Sequence, residues 1–484
     1  MQLFCLLALP ALLQGGGSDF IPDSTPDPVA ALPFRKVRTP DGSLFLVLSR
    51  PGLPLAHWAS FTRMGRRDDP PDLPGLAEAC HLSTFFGTFD LGSRDPELEK
   101  KALEELDEAL ERLAAAGNPK ERAEAFRAVR RKREAARSFA RLDRFRQTLA
   151  RLPASPPEIG TDLDGSYVRI SVPAARVLDL ATLMRARRRE PVLREVSRLQ
   201  ERIRRRLSAL ESRDLSPGLR QAILTAIQRH PVRNLAFLPE PEAPPCTRRR
   251  ALRFFREHQR PERSVTVIVG SFDADAVVRG LYRLFRSPPP GRGPDPAPRE
   301  PPPAGAHIMR LKTPGPPTLV LAWRVPEGMA AADFDLCRML LDPIRGFLAP
   351  ENRIGGFRLT GLRFDPSPIG RRPPSLSILR ILPETAEGLP DDFRDRCLER
   401  LDSLLDGEEG ARVLETLRAE WTRGRRTLSE RPAPLALAVA REAALGSWPP
   451  PPPSGDPEVM RRVARKLLDP AASTSVFSDP AGER

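Results

Sequence analysis

The chain has 484 residues, is 40% hydrophobic, and carries 77 Lys and Arg against 63 Asp and Glu, a formal net charge of +14. That length allows roughly two to four domains with real cores and excludes a small disulfide-stapled scaffold. A pI near 10.4 raises nucleic acid as a partner. However, the basic residues are mixed with acidic ones along helices, and aromatics make up only 6%. Neither a basic block nor a stacking platform results, so no nucleic-acid partner is expected.

Leu3–Leu13 is an apolar run too short to span a bilayer, and Gly15 and Gly17 are placed for a cut before Ser18. Residues 1–18 read as a signal peptide and imply an exported, periplasmic or extracellular protein; a buried first helix is the other reading. No other run approaches ~18 consecutive apolar residues, so no stable membrane span is expected. The cysteines Cys5, Cys80, Cys246, Cys337 and Cys397 show no C-x-x-C spacing.

Ser43–Ser49 follows the turn signal Pro40-Asp41-Gly42, and Leu55–Thr62 follows Pro51-Gly52-Leu53-Pro54. The two runs read as an antiparallel strand pair. The loop Gly65-Arg66-Arg67-Asp68-Asp69 leads to Pro74–Thr88, which reads as a short buried helix closed by a glycine turn. Glu78 and His81, three residues apart, are expected to share a face and to meet as an ion pair or hydrogen bond at its solvent side.

This order of strand, turn, strand, G-x-R-x-(D/E) loop and helix resembles the insulinase/pitrilysin metallopeptidases, the family that includes mitochondrial processing peptidase. Their helix reads G-L-A-H-x-x-E-H-x-x-F-x-G-T, with two His binding zinc and the Glu activating its water. Here Gly75-Leu76-Ala77, Phe85 and Gly87-Thr88 keep the frame, while Glu78, His81 and Leu82 stand at the first His, the Glu and the second His. The resemblance implies the family fold with a degenerate site.

Residues 97–152 read as an inserted helical hairpin, with Leu103, Leu106, Leu110 and Leu113 on one helix and Phe126, Val129, Ala136, Leu142, Phe145 and Leu149 on the next, broken at Gly117-Asn118-Pro119. Ser166–Pro173 reads as a strand and Ala174–Arg189 as a helix, loosely matching the family's D-x-T-x-Y element. The edge-strand motif that precedes it in the family is not recognisable in Pro156–Leu163. After Pro191-Val192-Leu193-Arg194-Glu195, counting forward as in the family puts the third zinc ligand at Arg206; a shift of several residues would offer Glu201.

Beyond the loop Leu238–Pro245, Leu252–Phe255 reads as a short helix, with a strand the other reading of so brief an apolar run. Ser264–Asp273, then Ala274–Phe285, resembles the family's T-L-V-x-V-G-D-F-D strand and helix. Ser287–Ala306 is a Pro-rich loop. A strand is expected over Thr318–Val325 and a helix over Ala331–Leu341. The strand, proline and helix of Tyr167–Arg189 recur in Leu376–Leu405, and Leu55–Leu82 recurs more loosely in Leu319–Leu341. Phe347–Phe357, at the place of the family's L-R-x-x-x-x-L-x-Y, has no Arg/Tyr pair at that spacing.

The fold class expected is therefore α+β, with two homologous domains, each an antiparallel sheet packed with helices. They are placed at 35–237, with the hairpin insertion over 97–152, and at 246–470. The function implied is a non-catalytic homologue, a subunit that pairs with an active zinc-peptidase paralogue as a heterodimer and helps enclose peptides. No metal, no cofactor and no catalytic residue are expected. The alternatives are a peptidase active through a rearranged zinc site, or a stand-alone peptide-binding protein.

Overall fold

The computed structural model describes residues 27–214, 216–237, 246–287, 298–303, 305–325, 353–354, 357–365, 367–385, 387–406, 408–446 and 457–480. The expected signal peptide, the helix over Ala331–Leu341 and most of Phe347–Phe357 lie outside these residues.

Two six-stranded sheets organise the chain. The first contains β1 (Arg35–Arg38), β2 (Leu44–Ser49), β3 (Leu55–Thr62), β4 (Glu158–Thr161), β5 (Ser166–Pro173) and β6 (Ser264–Gly270), in the order β1-β2-β6-β3-β5-β4. The second contains β7 (His307–Thr313), β8 (Thr318–Arg324), β9 (Arg353–Ile354), β10 (Phe357–Asp365), β11 (Leu376–Pro383) and β12 (Ser473–Pro480), in the order β7-β12-β8-β11-β10-β9.

Three expectations are corrected here. β2 and β3 do not pair, because β6 lies between them, parallel to β2 and antiparallel to β3. The partner of β2 across the Pro40-Asp41-Gly42 turn is instead β1. Neither sheet is purely antiparallel, since β7 also runs parallel to β12. The sheets also divide later than residue 246, for β6 and the helix after it complete the first sheet and its core. The physical reason is visible in β6: all seven residues are buried. A strand covered on both faces belongs in a sheet centre.

The internal repeat extends further than the sequence suggested. β2, β6, β3, β5 and β4 correspond in order and direction to β7, β12, β8, β11 and β10. Pro261-x-x-Ser264-x-x-Val267 at the entry to β6 recurs as Pro470-x-x-Ser473-x-x-Val476 at the entry to β12, each after a helix and a 3₁₀ turn.

The helices of the first half are α1 (Leu76–Ser83), α2 (Pro96–Ala115), α3 (Pro119–Phe139), α4 (Arg144–Ala150), α5 (Val177–Arg189), α6 (Val196–Asp214) and α7 (Pro217–Ala226). α2 and α3 pack against each other, with Asp95 and Asn118 capping them through Leu98 N–H and Glu121 N–H. The second expected hairpin helix is two helices, α3 and α4, and Phe126 is exposed. Then come α8 (Arg248–His258), α9 (Ala274–Leu284), α10 (Phe393–Asp406), α11 (Glu408–Glu430), α12 (Pro432–Leu445) and α13 (Pro457–Leu467).

One face of the first sheet packs on α4, α5 and α9 through Trp58, Ile170, Ile268 and Leu180. The other face receives α12, a helix of the second half, through Leu435, Ala436, Val439 and Ala440 against Val265, Val267 and Val269. The second sheet mirrors this: α10 and α13 cover Leu321, Trp323 and Phe477, and α7 from the first half covers Val320, Ala322 and Val476. Each half thus lends one helix to the other. Gly218 lets α7 sit this close, since a Cβ there would come 2.7 Å from Ser478 Oγ.

Candidate functional site

Three groups fix the start of α1. Asp69 accepts hydrogen bonds from Gly75 N–H and Ala77 N–H, each at 2.7 Å. Gly75 has a left-handed φ of 84°, and a Cβ there would press within 2.5 Å of Ile203 on α6. Gln200 Nε2 donates to Pro74 O at 2.9 Å. Leu76, Ala77, Ala79 and Cys80 then bury against Leu199, Ile203 and Leu207, locking α1 to α6. The helix ends in the 3₁₀ turn Thr84–Phe86, and Gly87 has a φ of 90°. Arg194 braces that turn by donating to Phe86 O at 2.9 Å and Thr88 O at 3.0 Å while paired with buried Glu99. Nothing in the sequence pointed to Arg194 or Glu99, which lie 95 residues apart.

The four degenerate positions have the following surroundings. Glu78 Oε2 accepts from Arg206 Nη2 at 2.6 Å, with side-chain exposures of 14% and 51%. His81 is buried, and its Nε2 bonds Tyr167 O at 2.9 Å. Leu82, half-buried, packs on the α1–α6 core. Glu201 pairs with Arg205 at 2.6 Å, one turn along α6. The expected contact between Glu78 and His81 is thus corrected: each takes a stronger partner, a guanidinium for one and a buried carbonyl for the other.

Beneath His81 lies Arg187 of α5, itself buried. Its Nη1 donates to Thr84 Oγ1 at 2.8 Å, and its guanidinium carbon sits 4.4 Å from the Phe85 ring centroid. Burial, and then Arg188, hold Arg187 down to about 9. Burial, and then the Arg187 charge, hold His81 down to about 3 despite the bond to Tyr167. His81 is therefore neutral across ordinary pH, with its Nε2 proton committed to the backbone.

This set does not fit a zinc ion. Zinc needs free lone pairs from several converging ligands. Glu78 is claimed by a cation, His81 donates through Nε2, and Leu82 has no donor atom. Among the described residues no group of three His, Cys, Asp or Glu could hold a metal ion.

The Gly65–Asp69 loop ties α1 to the second half. Arg67 reaches Arg372 O, Pro374 O (3.2 Å) and Asp164 (3.3 Å). Asp164 accepts Arg371 N–H at 2.7 Å and Arg372 N–H at 3.0 Å, and Arg372 forks onto Asp68 at 3.1 and 2.6 Å. Beside this junction β4 forms a sheet edge, paired among the described residues with β5 alone. The sequence did not reveal β4, whose Glu-Ile-Gly-Thr has little strand signature.

A family model described as the peptidase M16 inactive domain matches residues 245–341. Among solved structures, a protease from Helicobacter pylori is similar at a TM-score of 0.63 and 14% identity, covering 92% of this chain and 99% of that one. The peptidase M16 inactive domain from Pseudomonas fluorescens follows at 0.59 and 15%, covering 94% and 99%. The periplasmic protease PqqL from Escherichia coli gives 0.53 and 11%, covering 93% of this chain and 48% of that one. No curated protein matches the sequence. A segment matched by the M16 inactive-domain model thus lies within a chain whose fold, along nearly its whole length, is similar to that of M16-type peptidase structures.

Proposed function

We propose that the chain is a non-catalytic M16 subunit that pairs with an active family member and helps enclose its peptide substrates. The observation that carries this reading is the Glu78–Arg206 ion pair, which takes two of the motif positions that would supply zinc ligands. The missing Arg/Tyr pair in Phe347–Phe357 points the same way. What remains is shape: two sheets, an open β4 edge on which an extended peptide can add as a strand, and a strongly basic composition. We place the protein outside the cytoplasm, on the strength of the Leu3–Leu13 run and of a periplasmic structural neighbour. No helix among the described residues is long and apolar enough to cross a membrane.

The test combines the chain with an H-x-x-E-H paralogue from the same source. Joint elution on size analysis, together with a changed peptidase rate, supports the subunit reading. Separate elution with an unchanged rate refutes it. Elemental analysis of the isolated chain should find no stoichiometric zinc; about one zinc per chain, lost in His81→Ala, would mean a rearranged metal site. For export, the mature N-terminus should start near Ser18.

A further inference from the structure

The segment 298–303, Pro-Arg-Glu-Pro-Pro-Pro, runs over the surface ahead of β7, yet the Glu300 side chain is only 4% exposed. Its carboxylate accepts three consecutive backbone N–H groups, from Gln228 at 2.9 Å, Arg229 at 2.7 Å, and His230 closer still. Arg324, at the end of β8, stands 3.9 Å away. The turn itself is held by Val232 N–H, which donates to His230 Nδ1 at 3.0 Å. Successive N–H groups that converge on one point form a backbone anion nest. Burial pushes the Glu300 carboxyl up, but the three N–H bonds and Arg324 outweigh it and leave the group below its ordinary value.

Four of the six residues of the segment are prolines, with no N–H to offer a neighbour. Glu300 is thus the hydrogen-bonded anchor of this strap among the described residues. A small crevice opens beside the nest; Gln228, His307 and Arg324 line it together with Ala226, Ala472 and prolines, so its wall is mixed polar and apolar with one guanidinium.

We propose that the Gln228–His230 turn is a recognition site for acidic, proline-flanked peptide segments, with Glu300 as its ligand in cis and such a segment from another chain as its ligand in trans. The chemistry requires a carboxylate, because three N–H donors and a nearby guanidinium match an anion and leave an amide short of charge-assisted bonds. The prolines of the ligand keep it extended at little entropic cost. Glu300 competes as a tethered group at an effective concentration on the order of millimolar, so exchange occurs at that ligand level or when the strap is moved. The site adjoins the Gly65–Asp69 loop, whose Arg67 and Asp68 charges reach His230, and it does not depend on pairing with a peptidase.

The experiment uses the full chain and two peptides, acetyl-Pro-Ala-Glu-Pro-Pro-Pro-amide and its counterpart with Gln in place of Glu. Calorimetry on the Glu300→Ala chain should show the Glu peptide binding on the order of tenfold more tightly than the Gln peptide, and more tightly than to the unmodified chain. In the unmodified chain, tryptic cleavage after Arg299 should accelerate as the Glu peptide reaches millimolar levels, and stay constant with the Gln peptide. Equal or absent binding of both peptides by a folded Glu300→Ala chain overturns the proposal. If that variant does not fold, the cleavage assay decides: equal rates with both peptides overturn it.

Discussion

Glu78 on α1 and Arg206 on α6 lie 2.6 Å apart; motif counting offers Glu78 for the first zinc-ligand position and Arg206 or Glu201 for the third. The packing that would bring two metal ligands together, Gly75 against Ile203 and Leu76 into the α1–α6 core, is intact. An ion pair thus bridges α1 and α6 at this point. Because Arg206 is half exposed, the pair itself contributes little, about 0.2–1 kcal/mol. The combined change Glu78→His, His81→Glu, Leu82→His and Arg206→Glu should recover about one bound zinc per chain by elemental analysis. A folded variant that stays metal-free would show that the α1–α6 spacing no longer suits the ion.

His81 should make the fold acid-sensitive. Its proton affinity is lower folded (about 3) than unfolded (6.5), so its stabilising contribution is complete above pH 6.5 and lost as pH falls toward 3. His230 and His258, both held to about 4 chiefly by burial, add to the same slope. In His81→Leu the denaturant midpoint should be lower at pH 7 yet fall less between pH 6.5 and pH 4. An unchanged slope would mean that His81 does not titrate in this way.

Arg187 is a buried cation whose hydrogen bond and ring contact involve Thr84 and Phe85, neither of them charged. Replacing a buried charge with an apolar side chain of similar length is often neutral or stabilising by about 1–4 kcal/mol. Arg187→Met should therefore keep or raise the melting temperature, and it should raise the pKa of His81 as read by NMR. A large loss of stability would assign Arg187 a packing role beyond its charge.

Asp69 acts with the opposite sign to His81. Burial raises its carboxyl to about 7 against the two N–H bonds it accepts, so the folded state loses stability as pH rises from 3.8 toward 7. Asn in its place does not titrate. The stability gap between the native chain and Asp69→Asn should consequently be larger at pH 5 than at pH 8, and a gap independent of pH would contradict the assignment.

The Arg67–Asp164 pair is 2% exposed on both sides, and Asp164 also holds the Arg371 and Arg372 amides of the second half. Removing one partner from a buried pair costs about 3–5 kcal/mol. Arg67→Ala and Asp164→Ala should each lower stability by that order in chemical denaturation. The double variant should recover part of the loss.

Local signals carried the sequence reading well. β3, the glycine-bounded α1, β5 with α5, and β6 with α9 could all be read from apolar period and turn residues, because their cues lie within about twenty positions. What escaped were choices made across long separations. The insertion of β6 between β2 and β3 joins residues some two hundred apart, as Ser60 and Thr266 show. β4 is short, half-buried and glycine-containing, so it has no alternation to read. Glu78 and Arg206 were located by motif counting, but their meeting across 128 residues needed the packing of α1 on α6.

The loan of α7 to the second sheet and of α12 to the first removes any single point at which the molecule divides into self-sufficient pieces. A fragment ending at residue 237 would lack β6, the middle of its own sheet, and would carry α7 with its apolar face bare. One cut of the backbone between the halves would instead leave two pieces clasped together under native conditions, each holding a helix seated in the other. Both halves should therefore lose structure in one shared transition in chemical denaturation.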